Sequence, residues 1–230
     1  MRRSFSPIAL SFSLLAACAP AQMRLPDTFA ASSRTEFTGF TGWNHGRFTA
    51  GSYTGDYERS ADRLAFVDTF RTSSARAEFT IAGPQVDSRI EARCRMREHS
   101  IDTGVVEVVT RPMIYGCDFT AEGRPVPARF ELQEAHGDVL RPYERRGEIA
   151  LGGETVQIRS VHRIEGTSLA TLAPIGYLFE QQGRPVGAVE LNGKPVLILP
   201  AGTEPALVRT LTVAALALGV LYDPANDVDS

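Results

Sequence analysis

The sequence predicts a mainly β protein: about twelve antiparallel strands closed into a barrel that encloses a C-terminal hydrophobic α-helix. Three observations predict it. From about residue 36 to 200, short alternating segments recur between Gly, Pro, Asn and Asp, the pattern of half-buried strands joined by turns. The pattern then changes to an apolar helical run over 205–221. At 230 residues, 43% hydrophobic and 22% charged, the chain has length for one domain with a real core.

In chain order, residues 1–17 have the form of an export leader. Arg2 and Arg3 precede an apolar run, IALSFSLLAA at 8–17, that is too short to span a bilayer. The stretch LAAC at 15–18 resembles the lipobox of bacterial lipoproteins. That resemblance implies cleavage before Cys18, attachment of a diacylglyceryl group to its thiol and acylation (palmitate) of the new amino terminus. A plain cleaved signal with a coincidental cysteine is the alternative. Three acyl chains would exceed the two signals that stable anchoring takes, at about 0.8 kcal/mol per buried methylene. Ala19, not aspartate, follows the cysteine, which by the same resemblance implies the outer membrane with the protein facing the periplasm.

Residues 18–35, the lipidated cysteine followed by Ala, Pro, Ser and Gln with little periodicity, suit a tether. The barrel domain is expected over 36–221. RIEARCRMR places Ile90, Ala92, Cys94 and Met96 on one face and Glu91, Arg93, Arg95 and Arg97 on the other. ARFEL turns Ala128, Phe130 and Leu132 inward, and EIALGGETVQIRSVHRI forms two strands about a Gly152–Gly153 turn, with Val156, Ile158, Ser160, His162 and Ile164 sharing a face. Further strands are expected near 37–40, 46–53, 63–68, 75–81, 105–110, 114–120, 176–181, 185–191 and 195–199. GRPV at 123–126 and 183–186 and GKPV at 193–196 read as turn-and-strand modules, the last with the Asn192–Gly193 pair of a tight hairpin.

For the helix, Thr203 is the expected cap and Pro205 sits in the first turn. A helix apolar nearly all round is a membrane span or is enclosed by protein. Seventeen residues give about 26 Å and a span wants about 20 residues. Enclosure is therefore expected: a barrel of about a dozen strands has room for a helix about 10 Å across. Residues 222–230 are expected to emerge as a short acidic tail.

The pattern of about twelve strands followed by one apolar helix, most of all GYLFEQQGRPVGAVELNGKPVLILPAGTEPALVRTLTVAALALGVL at 176–221, resembles the tubby C-terminal, phospholipid scramblase and LURP-one-related superfamily. The resemblance implies the fold. Eukaryotic members bind phosphoinositides or act near membranes, but no set of their functional residues matches here position by position.

Chemistry is sparse. With Cys18 lipidated, Cys94 and Cys117 are an even pair in an oxidising compartment, a disulfide of roughly 3 kcal/mol, with two buried free thiols as the alternative. His45, His99, His136 and His162 show no zinc spacing, so no metal or cofactor is expected, and His162 reads as a satisfied core histidine. EGTSLA around Ser168 lacks the second glycine of a nucleophile elbow, and no catalytic residue is assigned. Glu131, Glu134, Glu148 and Glu154 read as solvated carboxylates. Arg93, Arg95 and Arg97, about 6.6 Å apart on one face, with Arg89 extending the stripe, are the candidate contact for anionic lipid head groups; a solvated face balanced by acids is the alternative.

Net charge is −3; without Arg2 and Arg3, 24 basic residues become 22 against 27 acidic, or −5, which argues against nucleic acid. The leading expectation is a lipid-anchored, non-enzymatic envelope module whose partners are the membrane and an anionic lipid or envelope protein. The alternatives are a lipocalin-like carrier of a small apolar ligand, which needs a hollow lumen, and a hydrolase with an unrecognised site.

Overall fold

The computed structural model describes residues 21–41, 44–66, 70–102, 107–135 and 143–223. The leader, Cys18, His136 and the chain after 223 lie outside the described residues. A 3-10 turn, Asp27–Phe29, precedes β1 (Ser32–Thr38), β2 (His45–Ala50), β3 (Tyr53–Phe66), β4 (Phe70–Ile81), β5 (Ile90–Asp102) and β6 (Glu107–Ala121). β7 (Arg124–Glu134), β8 (Arg145–Leu151), β9 (Glu154–Val161), β10 (Gly176–Gln181), β11 (Arg184–Glu190), β12 (Val196–Pro200) and α1 (Pro205–Val220) follow. The strands form a closed antiparallel barrel in chain order, with β1 pairing β12 to seal it.

α1 fills the lumen. Leu211 to Leu218 are buried without interruption, none more than 2% exposed, and they meet an inward layer that includes Phe79, Phe130, Ile158 and Phe179. Two polar residues are tolerated inside because their hydroxyls return to carbonyls of the preceding turn, Thr210 to Ala206 at 3.1 Å and Thr212 to Val208 at 2.7 Å. The helix passes close to β11 where Gly187 leaves room: a Cβ there would lie 2.6 Å from Leu211 Cδ1. At the last turn Tyr115 donates to the Ala217 carbonyl at 2.8 Å, satisfying one of the acceptors a helix end leaves open. No helix among the described residues is long and apolar enough to cross a membrane.

Several expectations need correction. The expected tether is structured from Ala21 onward: Met23 and Phe29 pack with Ile175, Leu178, Ala188 and Ile198 on the outer face of β10–β12, and β1 begins at Ser32. Residues 21–31 form a strap because those strands carry apolar side chains outside as well as inside. Thr203 is not the helix cap. Its hydroxyl turns back to the Pro200 carbonyl at 2.7 Å, and Glu204 holds the N-cap position with no side-chain bond.

The expected strands near 105–110 and 114–120 are one strand, β6, whose break in pattern at Pro112 is a bulge: the register against β5 shifts around Glu98, where a residue without N–H loses no ladder bond. The strand expected over 46–53 is cut by a turn at 51–52, after which β3 runs unbroken through 63–66. GRPV at 123 and 183 follows a two-residue turn with positive φ at Glu122–Gly123 and Gln182–Gly183, as Gly152–Gly153 also does. Asn192–Gly193 does not make a tight hairpin; it lies in the 191–195 connection, where the Asn192 amide donates to the Ala21 carbonyl at 2.9 Å.

Candidate functional site

The barrel has unlike ends. Two-residue turns close the end where α1 begins, joining β2–β3, β6–β7, β8–β9 and β10–β11, and Arg209 is laid over it with its guanidinium on the carbonyls of Gln85 (3.1 Å) and Leu151 (3.4 Å). Longer connections, including 162–175 and 191–195, surround the end where α1 stops. Loops on a rigid scaffold are where binding residues concentrate, and the buried charge of this protein lies at that open end.

Its centre is Arg145. Alternation along β8 points Arg145 inward with Ile149 and Leu151, so its guanidinium enters the barrel with no exposed surface. It donates to Glu134 at 2.7 Å and to Asp223 at 3.0 Å, and it lies 5.5 Å from the centre of the Tyr143 ring. Burial pushes the Arg145 guanidinium down, but the charge and hydrogen bond of Asp223, with Tyr177 and Glu134, outweigh it and leave the pKa raised. Burial, reinforced by Asp223, pushes the nearby Tyr177 hydroxyl far up, so it stays a neutral phenol. Asp223 therefore plugs the barrel and does not begin the expected acidic tail.

Beside this cluster, Phe40, Arg59, Leu172, Tyr177, Leu218 and Asp223 help to line a cleft of about 450 Å³ at the end of α1. Arg59 donates to the Gly219 carbonyl at 3.5 Å. A second cleft, about 630 Å³, lies outside the wall between the strap and the 162–175 segment; Arg24, Arg159, Ser160, His162, Arg163 and Leu172 are among its lining. Thr171 and Leu172 form the ridge shared by both. Half-buried at this rim, His162 holds Thr171 O through Nδ1 at 3.1 Å and Ser160 Oγ through Nε2 at 3.0 Å. A carbonyl only accepts, so in the neutral ring Nδ1 carries the proton and Ser160 donates to Nε2. Ser160 Oγ also accepts the Arg145 N–H at 2.9 Å, which makes the trio a brace at the barrel rim.

Comparisons with family models, with curated proteins and with solved structures found no match for this chain.

The sequence-predicted residues fall in different places. Cys94 and Cys117 are bonded to each other between β5 and β6, with both side chains inside the barrel. Arg93, Arg95 and Arg97 are exposed on the outer face of β5. Arg93 lies 3.7 Å from Glu78 and Arg95 3.9 Å from Asp118, while Arg76 of β4 faces Arg95 across the pair. Arg89 reaches Asp56 at 3.4 Å. This wall stands six strands around the barrel from β11, on the side opposite the strap.

The carboxylates each meet a donor: Glu131 and Glu148 share Arg129 at 3.7 and 3.3 Å, Glu134 holds Arg145, and Glu154 accepts from Gln181 at 2.7 Å. Ser168 sits in an exposed turn. No group of three metal-ligating side chains occurs among the described residues. Sequence reading missed Arg145, although RRGEIAL alternates in phase with the inward Ile149 and Leu151.

Proposed function

We propose that this protein is a lipoprotein of the bacterial outer membrane, anchored through acylated Cys18, facing the periplasm, whose barrel is a non-enzymatic binding or interaction module. Twelve strands wound around a C-terminal helix support kinship with the tubby C-terminal, phospholipid scramblase and LURP-one-related superfamily on architecture. Only the fold is carried over. The observation that carries the reading is the division of apolar segments. From Thr210 to Leu218 the helix is buried without interruption inside protein, which leaves the leader and Cys18 as the part of the sequence suited to a membrane.

A filled lumen removes the cavity that a lipocalin-like carrier needs. A hydrolase reading could draw on the hydrogen-bonded Ser160 and His162 pair. It is disfavoured because Ser160 is 6% exposed and its oxygen is already engaged by the Arg145 amide.

Mass spectrometry of the amino-terminal peptide from native membranes tests the anchor. A diacylglyceryl group on Cys18 with an amide-linked acyl chain is expected, and Cys18→Ala should release the protein into the soluble periplasm. An unmodified cysteine in the mature chain would remove the proposal.

A further inference from the structure

We infer that the open end of the barrel seats on the phospholipid surface, with Leu169 and Leu172 entering the interface and Arg24 and Arg163 gripping lipid phosphates. This rests on the lipid-anchor reading. Consecutive Cα atoms are 3.8 Å apart, so Cys18 lies within about 11 Å of Ala21 whatever path the chain takes. Ala21 is fixed at the open end: its carbonyl holds Asn192 at 2.9 Å, the Gln22 carbonyl holds the Glu165 amide at 2.8 Å, and the Arg24 amide donates to Arg163 at 2.8 Å. Acyl chains on Cys18 therefore bring a bilayer against this end. The turn-closed end is a barrel length away, and the arginine stripe of β5 is on the opposite wall.

What the rim presents suits that surface. Leu169 is 66% and Leu172 53% exposed, unlike the buried leucines of the core. Both sit on the 162–175 segment, held by the Arg163–Ala170 bridge and the Thr171 amide on the His162 carbonyl at 2.8 Å. Arg24 and Arg163 are exposed and lie side by side through their backbone bond. Their neighbours Arg146 and Arg159 are neutralised by Glu144 and Glu180, each at 3.0 Å, whereas Arg24 and Arg163 form no ion pair with a described residue. Isolated surface leucines are ordinary. Two leucines flanked by two free guanidinium groups, within a few residues of an acylation site, have the composition of an interfacial seat, which sinks about 5–10 Å into the headgroup region.

The test uses the full acylated chain with its one tryptophan removed (Trp43→Phe) and one reintroduced: Leu172→Trp at the rim, Arg95→Trp on the β5 wall, or Arg124→Trp at the turn-closed end. The proteins are reconstituted in phosphatidylglycerol–phosphatidylcholine vesicles whose acyl chains are brominated near the headgroup. We expect at least about twofold quenching at Leu172→Trp and none at the other two, given the shallow depth of such seats. Adding Arg24→Glu and Arg163→Glu should remove most of that quenching, and Leu169→Asp should weaken it. Equal quenching at all positions, strongest quenching at Arg95→Trp, or no effect of the glutamates would overturn the inference. Acylated, vesicle-bound protein with an unquenched rim refutes the seat alone; absence of acyl groups by mass refutes the anchor as well.

Discussion

Arg145, with no exposed surface, donates to Asp223 Oδ1 at 3.0 Å and so ties β8 to the residues that follow α1. The ion pair joins positions 78 apart in sequence and locks the helix end against the wall. Taking one partner from a buried pair leaves a charge without compensation, at a cost of about 3 kcal/mol. Asp223→Asn should lower the unfolding free energy by about that amount in urea titrations; a loss under about 0.5 kcal/mol, the scale of a surface substitution, would show that Glu134 compensates Arg145 without help.

The Cys94–Cys117 bond closes a loop of 23 residues' separation. In the chain-entropy account such a loop constrains the unfolded state by about 3 kcal/mol. The double variant Cys94→Ala, Cys117→Ala should fold to the same barrel, with its urea midpoint lowered accordingly and its circular dichroism unchanged.

Tyr115 and Tyr177 are buried, and burial raises both hydroxyl pKa values well above 10.0. The sign follows: the folded state keeps these protons after the unfolded chain has released them, so the stabilisation is complete below pH 10 and falls as pH rises beyond it. Each tyrosine contributes a slope of about 1.4 kcal/mol per pH unit there. Burial raises the Tyr53 hydroxyl as well; denaturation series between pH 9 and 11.5 should show this decline, and Tyr115→Phe should make it shallower by one tyrosine's share, about 1.4 kcal/mol per pH unit, while costing about 1 kcal/mol at neutral pH for the lost bond to Ala217.

Gly187→Ala places a methyl group 2.6 Å from Leu211 Cδ1 and 3.2 Å from Leu199 Cδ2. Both leucines are buried in the core, and overpacking of this kind costs about 1–3 kcal/mol. Gly183→Ala, where nothing lies within 4 Å of the new atom, tests the separate strain of a positive φ of 74°. A melting temperature unaffected by Gly187→Ala would mean that α1 does not approach β11 this closely.

Much of the barrel is legible in the sequence because strict alternation, as in RIEARCRMR, has one physical reading: one face wet, the other buried. The enclosed helix is legible too, since Leu211–Leu218 has no polar face and is too short to span a bilayer. The strap was harder to see. Its signal lay in the strands it covers: Tyr177, Leu178 and Phe179 are buried consecutively, which in an antiparallel strand requires cover on both sides. Arg145 was obscured because a charge between segments reads as loop, and its partner Asp223 is linked to it by no local pattern. Asn192–Gly193 looks like a hairpin turn until the amide is seen holding Ala21. Pro112 imitates a strand boundary because a bulge and a turn relax the backbone in the same way.

The most direct measurement is lipid-phase photolabelling of the full chain in native membranes, followed by peptide mapping. A hydrophobic carbene reagent should mark the acylated amino-terminal peptide and leave the peptide spanning 205–220 unlabelled, because Thr210–Leu218 are buried inside the barrel and the first turn of the helix lies at the end away from the anchor. Strong labelling of 205–220 would place it in lipid and contradict both the enclosed helix and the single anchor at Cys18.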